Sequence, residues 1–406
     1  MKKFGILGIC LATGMSVFAQ ADLVKEVERS LKASSPNYEE AVKKIQPALT
    51  NDDTKDLVTP WYLAGKASFG LFDQLYLKET LGEKLNDDQK KTAGNAMVDG
   101  YGYFFKALPL DQKPDEKGKI KPKHTKEMLK QLKNNYVMLR NAGVFLFEAQ
   151  DFKGAYDAWE LYVTLPEIAT LGTDAPKADP DTVVGNIMYY QMLAALSNDM
   201  NEEALAKFRQ VEKSGYKNID AYVYGTEAAR RLNDSVAMLE IAHKGYDMFG
   251  TQNIQFIGQI INDRLFHEDY AACEKLTNEA LQATTDPAIQ SQLYDILGVV
   301  YENSDRLDDA FAALDKAIEL NPENAKNYYD KARLMFNQAI KIDEEVQSLE
   351  ERKQKVIPLL VNSAELFEKA YGMDEVNNSN VPGILYRLYY RLGAGYEEKA
   401  NYWKDL

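Results

Sequence analysis

The chain has 406 residues, of which 45% are hydrophobic and 27% are charged, so it can bury a globular core. That length suits roughly two or three ordinary domains, or one long array of repeats. The net charge of −14 disfavours nucleic acid and anionic lipid as main partners, because binding phosphates takes a basic surface. Proline and glycine, which interrupt helices, are sparse at 13 and 24 residues, so the composition favours long helices.

Residues 1–21 have the pattern of a secretory signal peptide. Two lysines at 2–3 precede an apolar run at 4–18, and Ala19-Gln20-Ala21 has the small-x-small form of a cleavage site. We expect cleavage after Ala21 and a mature protein that is periplasmic or otherwise exported. A retained membrane anchor is the alternative, although the apolar run is short for a membrane span. The mature chain is expected to have no membrane span.

The segment 291–324 contains a pattern of small, aromatic and apolar residues at fixed spacing. Small residues stand where two helices of a hairpin would touch, and larger ones stand around that contact. A proline follows where the second helix must end. In chain order these residues are Tyr294, Leu297, Gly298, Tyr301, Ala310, Leu314, Ala317 and Pro322.

This segment resembles the repeat of the tetratricopeptide family, and weaker copies extend the resemblance over most of residues 35–406. The resemblance implies an all-α fold, a right-handed α-solenoid of antiparallel helix pairs. The prediction divides the mature chain into N-terminal helical repeats at 22–108, a linker or exposed loop at 109–125, and a solenoid at 126–406. A capping helix is expected at about 384–404 to cover the last apolar face.

Two segments depart from the repeat. Residues 109–125 contain three prolines and five lysines against three acids, which predicts a solvated linker, with a partner contact as the alternative. Residues 328–353 contain no proline or glycine and predict an overlong helix. That helix is either lengthened on its solvent side, or forms a docking arm or the contact of a homo-oligomer.

No catalytic or metal-binding motif is found. The three histidines lie in separate segments, and once residues 1–21 are removed Cys273 is the single cysteine. We therefore expect no enzyme activity, no catalytic residues, no cofactor and no metal.

The family resemblance also implies a groove lined by the first helix of each pair, in which exposed side chains bind a polypeptide. Transferred to the matching positions of this chain, the partner-binding residues are Tyr62, Lys66, Arg140, Phe147, Asp295, Glu302, Asn303, Tyr329, Arg333 and Asn337. Each of them can instead pack between adjacent repeats.

The leading hypothesis is a non-catalytic periplasmic scaffold or adaptor that binds protein or peptide partners through this groove. The alternative is an exported carbohydrate- or nutrient-binding helical-repeat protein, since 25 tyrosines and three tryptophans could stack on sugars. An enzyme with an unrecognised site is the third hypothesis. The partner, the pathway and the oligomeric state remain open at this stage.

Overall fold

A computed structural model describes residues 21–406, and every regular element among them is a helix. The contacts between Cα atoms divide the chain into two compact units, Met1–Asn233 and Asp234–Leu406. In the first unit, residues 21–31 are helical and are called α1. The helices that follow it are α2 (Tyr38–Thr50), α3 (Val58–Thr80), α4 (Asp87–Asp111), α5 (Thr125–Asn135), α6 (Met138–Glu148), α7 (Phe152–Thr164), α8 (Asp181–Ser197), α9 (Asn201–Lys213) and α10 (Ile219–Arg231).

The second unit is built in the same way. Its helices are α11 (Ser235–Phe249), α12 (Ile254–Phe266), α13 (Tyr270–Ala283), α14 (Pro287–Asn303), α15 (Leu307–Leu320), α16 (Ala325–Glu345), α17 (Leu349–Lys355), α18 (Ile357–Met373), α19 (Val381–Leu392) and α20 (Glu397–Lys404). Neighbouring helices pack side by side, for example α3 with α4, α6 with α7, α14 with α15, and α16 with α18. The predicted all-α solenoid of helix pairs is confirmed.

The clearest predicted repeat forms the pair α14 and α15. Asp286 caps α14, since its side chain accepts hydrogen bonds from the backbone N–H groups of Ala288 and Ile289. Gly298 lies directly against Leu314, and a Cβ atom at Gly298 would come within 2.7 Å of the Leu314 Cγ atom. The two helices therefore pack closely because position 298 has no side chain.

The predicted linker at 109–125 begins too early. Pro109 lies inside α4, which continues to Asp111. This proline lacks the N–H that would bond to the carbonyl of residue 105, yet the helix continues for two residues beyond it before it ends. The irregular segment is residues 112–124, and α5 begins at Thr125.

The predicted continuous helix over 328–353 is wrong. Helix α16 ends at Glu345, and Ser348 caps the separate helix α17 by accepting a hydrogen bond from the backbone N–H of Glu351 at 3.1 Å. Ser348 and Glu351 have the spacing of a capping box, which marks a helix start. Helix α17 is tied to its own unit, because Arg352 donates to Asp343 at 2.7 Å and to the backbone carbonyl of Arg391 at 3.0 Å.

The predicted capping helix at about 384–404 is also divided. Gly393 and Gly395 have φ angles of 81° and 97°, in the left-handed region that ends helices, and they separate α19 from α20. The last helix buries Trp403, so α19 has a short partner.

Within residues 21–406, no helix is both long and apolar enough to cross a membrane. The predicted signal peptide, except for Ala21, lies outside the described residues.

We predict that Gly143→Ala destabilises the first unit, whereas Gly102→Ala does not. A Cβ atom at position 143 would lie 2.2 Å from the indole nitrogen of buried Trp159, while one at exposed position 102 meets nothing within 4 Å. The first substitution should lower the free energy of unfolding by about 1–3 kcal/mol through overpacking. The second should raise it by about 0.5–1 kcal/mol because alanine favours helix. Urea denaturation measures both, and equal effects would contradict the close packing.

Candidate functional site

In the first unit, helix α5 covers two of the predicted groove residues on α3. Tyr62 is 7% exposed, and its ring stacks on His124 with centroids 4.0 Å apart. Its hydroxyl donates to Glu127 at 2.5 Å, and Lys66 forms an ion pair with the same carboxylate at 3.0 Å. Burial and the Glu127 carboxylate raise the pKa of Tyr62. The family resemblance assigned this surface to a ligand. In the structure it contacts helix α5 of the same chain instead.

The other two predicted residues of this unit, on α6, also contact the chain itself. A guanidinium nitrogen of Arg140 lies 3.7 Å from a carboxylate oxygen of Asp179, and the guanidinium carbon lies 5.8 Å from the centre of the Tyr162 ring. The ring of Phe147 packs beside Trp159, with centroids 6.0 Å apart. Asp179 belongs to the connection between α7 and α8, so this connection folds over α6.

In the second unit, charged side chains of α14 and α16 form an alternating series that we call the ionic ladder: Asp295, Lys326, Asp330, Arg333 and Glu302. Lys326 bridges the carboxylates of Asp295 and Asp330, with 2.6 Å to the latter. Arg333 lies 3.5 Å from Asp330 and binds both oxygens of Glu302, at 2.9 and 2.7 Å. Bidentate pairs of this kind fix orientation as well as charge. The ladder thus joins the first helices of two successive pairs.

One end of the ladder is buried. The Asp295 side chain is only 7% exposed. This residue is therefore buried, whereas the groove prediction required it to be exposed. Its Oδ2 atom accepts from Lys326, whereas its buried Oδ1 atom has no hydrogen-bond partner among the described residues. Burial and the nearby charge of Asp330 raise the pKa of Asp295 to about 7.

The other predicted residues of this unit lie beside the ladder. Asn337 is exposed and donates to Glu302 at 3.3 Å, while exposed Asn303 donates to the carbonyl of Val299 in its own helix. The hydroxyl of Tyr329 accepts a hydrogen bond from Asn380 at 3.0 Å. The structure therefore brings Glu302, Arg333 and Asn337 into contact, with Tyr329 on the same helix as the last two.

A cleft of about 840 Å³ opens beside the ladder. The start of α16 forms one wall, and the connection from α18 to α19 forms the other. It combines an aromatic ring, a thioether, amides and carboxylates, and its lining residues are Glu323, Asn324, Ala325, Lys326, Tyr329, Asp330, Met373, Asp374, Asn377, Asn378, Ser379 and Asn380. The volume falls within the range of ligand pockets, but most of the lining side chains are polar or charged, whereas small-molecule pockets are mainly apolar.

Sequence reasoning missed the second wall of this cleft. Buried Asn378 anchors that wall by donating to the carbonyls of Ala370 and Asp374, at 3.1 and 2.8 Å. The sequence Asn-Asn-Ser-Asn at 377–380 is a visible signal for a structured turn. Its position opposite Tyr329 depends on the packing of α18 against α16.

The described residues offer no arrangement suited to a metal ion, since residues 21–406 contain no group of three or more His, Cys, Asp or Glu side chains placed to hold one. Cys273 is buried, and burial raises the pKa of its thiol.

No protein-family model matches the chain, and a comparison with curated proteins finds no match. Among solved structures, it is similar to the C-terminal part of a TPR repeat-containing protein from Cytophaga hutchinsonii. The identity is 12%, the TM-score is 0.41, and the match covers 65% of this chain and 92% of that one.

Two further solved structures are also TPR proteins. One, a tetratricopeptide repeat protein from Parabacteroides merdae, is 12% identical with a TM-score of 0.37 and covers 77% of this chain and 97% of its own. The other is YrrB, a TPR protein with an unusual peptide-binding site, at 14% identity, a TM-score of 0.35, and coverage of 48% and 92%. These scores are low, so the fold assignment rests on the observed helix pairs.

We predict that Asp295→Asn stabilises the second unit more at pH 8 than at pH 5. A carboxyl whose pKa is raised from 3.8 to about 7 on folding contributes stability that is fully present below pH 3.8 and is lost progressively as pH rises through 7. Asparagine can still accept from Lys326 but does not titrate. At pH 8 the gain should be about 1–3 kcal/mol, measured by denaturation at both pH values. The same difference between wild type and variant at both would contradict a raised pKa.

Proposed function

We propose that this protein is an exported, non-catalytic scaffold that binds an extended segment of a protein partner on the second unit. The binding surface consists of the exposed side of the ionic ladder, Asn337 and the adjoining cleft. The observation that carries the proposal is the cleft itself, which lies beside predicted groove residues and combines Tyr329 with several amide side chains.

The chemistry of this surface favours a polypeptide. Within the ladder, each cation is paired with carboxylates, and the cleft adds the carboxylates of Glu323 and Asp374, so the surface is acidic and favours a partner segment that carries basic or neutral residues. Amides at the cleft suit peptide backbone, which presents both donors and acceptors, while the ring of Tyr329 and the side chain of Met373 offer apolar contact. In the first unit, the corresponding residues already contact α5 and the α7–α8 connection.

We predict that Tyr329→Phe and Asn337→Ala each weaken binding of a protein captured from envelope extract about three- to tenfold. The first removes the hydroxyl that accepts from Asn380, and the second removes an exposed amide beside Glu302. Each variant removes one polar group from the proposed surface, and the loss of one hydrogen bond to the partner corresponds to about 1 kcal/mol. The captured protein is first identified and purified, and the dissociation constants are then measured by calorimetry.

Tyr402→Ala is the control for these variants. Tyr402 is 60% exposed on α20 and does not line the cleft, so its loss should leave binding unchanged. Unchanged affinity in both cleft variants, with circular dichroism showing intact helices, would remove this surface from the proposal.

Export is supported by the signal-peptide pattern of residues 1–21. We predict that the protein recovered from the periplasm begins at Asp22, as measured by intact mass. Ala21→Leu should block this processing because the cleavage site needs small residues. Recovery of the unprocessed wild-type chain from the cytoplasm would contradict export.

Carbohydrate binding is a second candidate, favoured by one observation. A separate cleft of about 540 Å³ is lined by Tyr386, Tyr389 and Tyr390, together with the polar side chain of Asn401. Tyr390 is 75% exposed, and exposed aromatic faces beside an amide suit sugar rings. Calorimetry with a glycan panel separates this candidate from the first, since no heat with any glycan would exclude this role for the cleft.

A further inference from the structure

One segment of this acidic protein has a marked excess of positive charge. Residues 113–133 contain eight lysines and no arginine, against three acidic residues, so this segment has a net charge of +5 in a chain of net charge −14. All eight lysines are exposed. The net charge of the whole chain does not reveal this basic segment, because the acidic residues outside the segment outnumber the basic ones.

The irregular part of this segment is an ordered hairpin. Buried Asp111 accepts hydrogen bonds from the backbone N–H groups of Lys123, His124 and Thr125, at 3.0, 2.8 and 2.7 Å. These bonds fix the end of the hairpin. Burial disfavours the charged form of Asp111, but the hydrogen bonds favour it more strongly and lower the pKa of this carboxyl. At the other end, Pro114 and Ile120 form an antiparallel bridge.

Helix α5 continues the basic surface. Met128 and Leu132 are buried against the core of the first unit, which fixes the orientation of the helix. Lys126, Lys130 and Lys133 are exposed and follow one another at intervals of four and three residues. This spacing places them along one side of the helix.

Little of this positive charge is neutralised by the protein. Lys121 forms an ion pair with Asp115 at 3.0 Å. For the other seven lysines, no carboxylate of residues 21–406 lies within ion-pair distance. The nearest acidic residue on α5, Glu127, is already bound by Tyr62 and Lys66.

We propose that this lysine patch, residues 113–133, docks the protein on an anionic phospholipid surface. Each lysine near such a surface is attracted by the negative potential of the headgroups, and several act together. Ile120 is 56% exposed between Lys119 and Lys121, which places an apolar side chain where it can enter the headgroup region. The acidic remainder of the chain is repelled, so docking orients the molecule with the patch toward the lipid.

The composition of the patch argues for lipid rather than a folded protein partner. The cores of protein–protein interfaces are enriched in arginine and aromatic residues and depleted in lysine. This segment has neither arginine nor an aromatic side chain other than His124, which is stacked on Tyr62. Diffuse attraction by flexible lysines needs no shape complementarity, which suits a fluid surface.

The test uses the mature full-length chain and sedimentation with vesicles. One vesicle type contains phosphatidylglycerol and phosphatidylcholine, and the other phosphatidylcholine alone. We expect binding to the anionic vesicles at low ionic strength, loss of binding in high salt, and no binding to the neutral vesicles. The triple variant Lys126→Glu, Lys130→Glu, Lys133→Glu should weaken binding at least tenfold.

A matched variant, Lys217→Glu, Lys353→Glu, Lys404→Glu, changes the net charge equally at exposed lysines outside the patch. It should retain most of the binding, and circular dichroism should show both variants folded. Equal loss in the two triple variants would overturn the patch in favour of net charge. Absence of vesicle binding by the wild type, or patch-dependent binding to single-stranded DNA without vesicle binding, would overturn the lipid. Asn337→Ala should leave vesicle binding intact, which separates this result from the partner site.

Discussion

Close contact between a residue without a side chain and a bulky residue on the neighbouring helix determines how the hairpins of this protein pack. Gly298 against Leu314 and Gly143 against Trp159 are two instances, one in each unit. In each, a single methyl group would occupy space that the larger side chain already fills. Because protein interiors are close-packed, the paired helices have little freedom to shift, and this fixes which residues lie on their exposed surfaces.

The two units use equivalent surfaces differently. In the first, α5 and the α7–α8 connection contact the side chains of Tyr62, Lys66 and Arg140. In the second unit, the ionic ladder occupies the corresponding face of α14 and α16, and a cleft lies beside it. A repeat position therefore indicates where a side chain lies on its helix, but inserted segments decide whether a ligand could reach it.

Charge is distributed unevenly for a structural reason. The lysine patch is located on an inserted hairpin and helix that the repeat does not require, so its composition is free of the packing demands of the helix pairs. Its base is nevertheless fixed by Asp111, whose carboxylate accepts three backbone hydrogen bonds. An ordered basic surface and an acidic scaffold can thus coexist in one chain.

The sequence by itself determined the helical class and the strongest helix pair, because small and bulky residues at fixed spacing report a contact between neighbours in the chain. The sequence also contains Ser348, the cap of α17, which divides the predicted long helix. The prediction of one continuous helix relied on apolar spacing and did not take this cap into account. Only the tertiary structure decided that Asp295 is buried, that α5 covers Tyr62, and that the 377–380 turn faces Tyr329. These facts depend on contacts between residues distant in sequence, whose burial and desolvation no local pattern records.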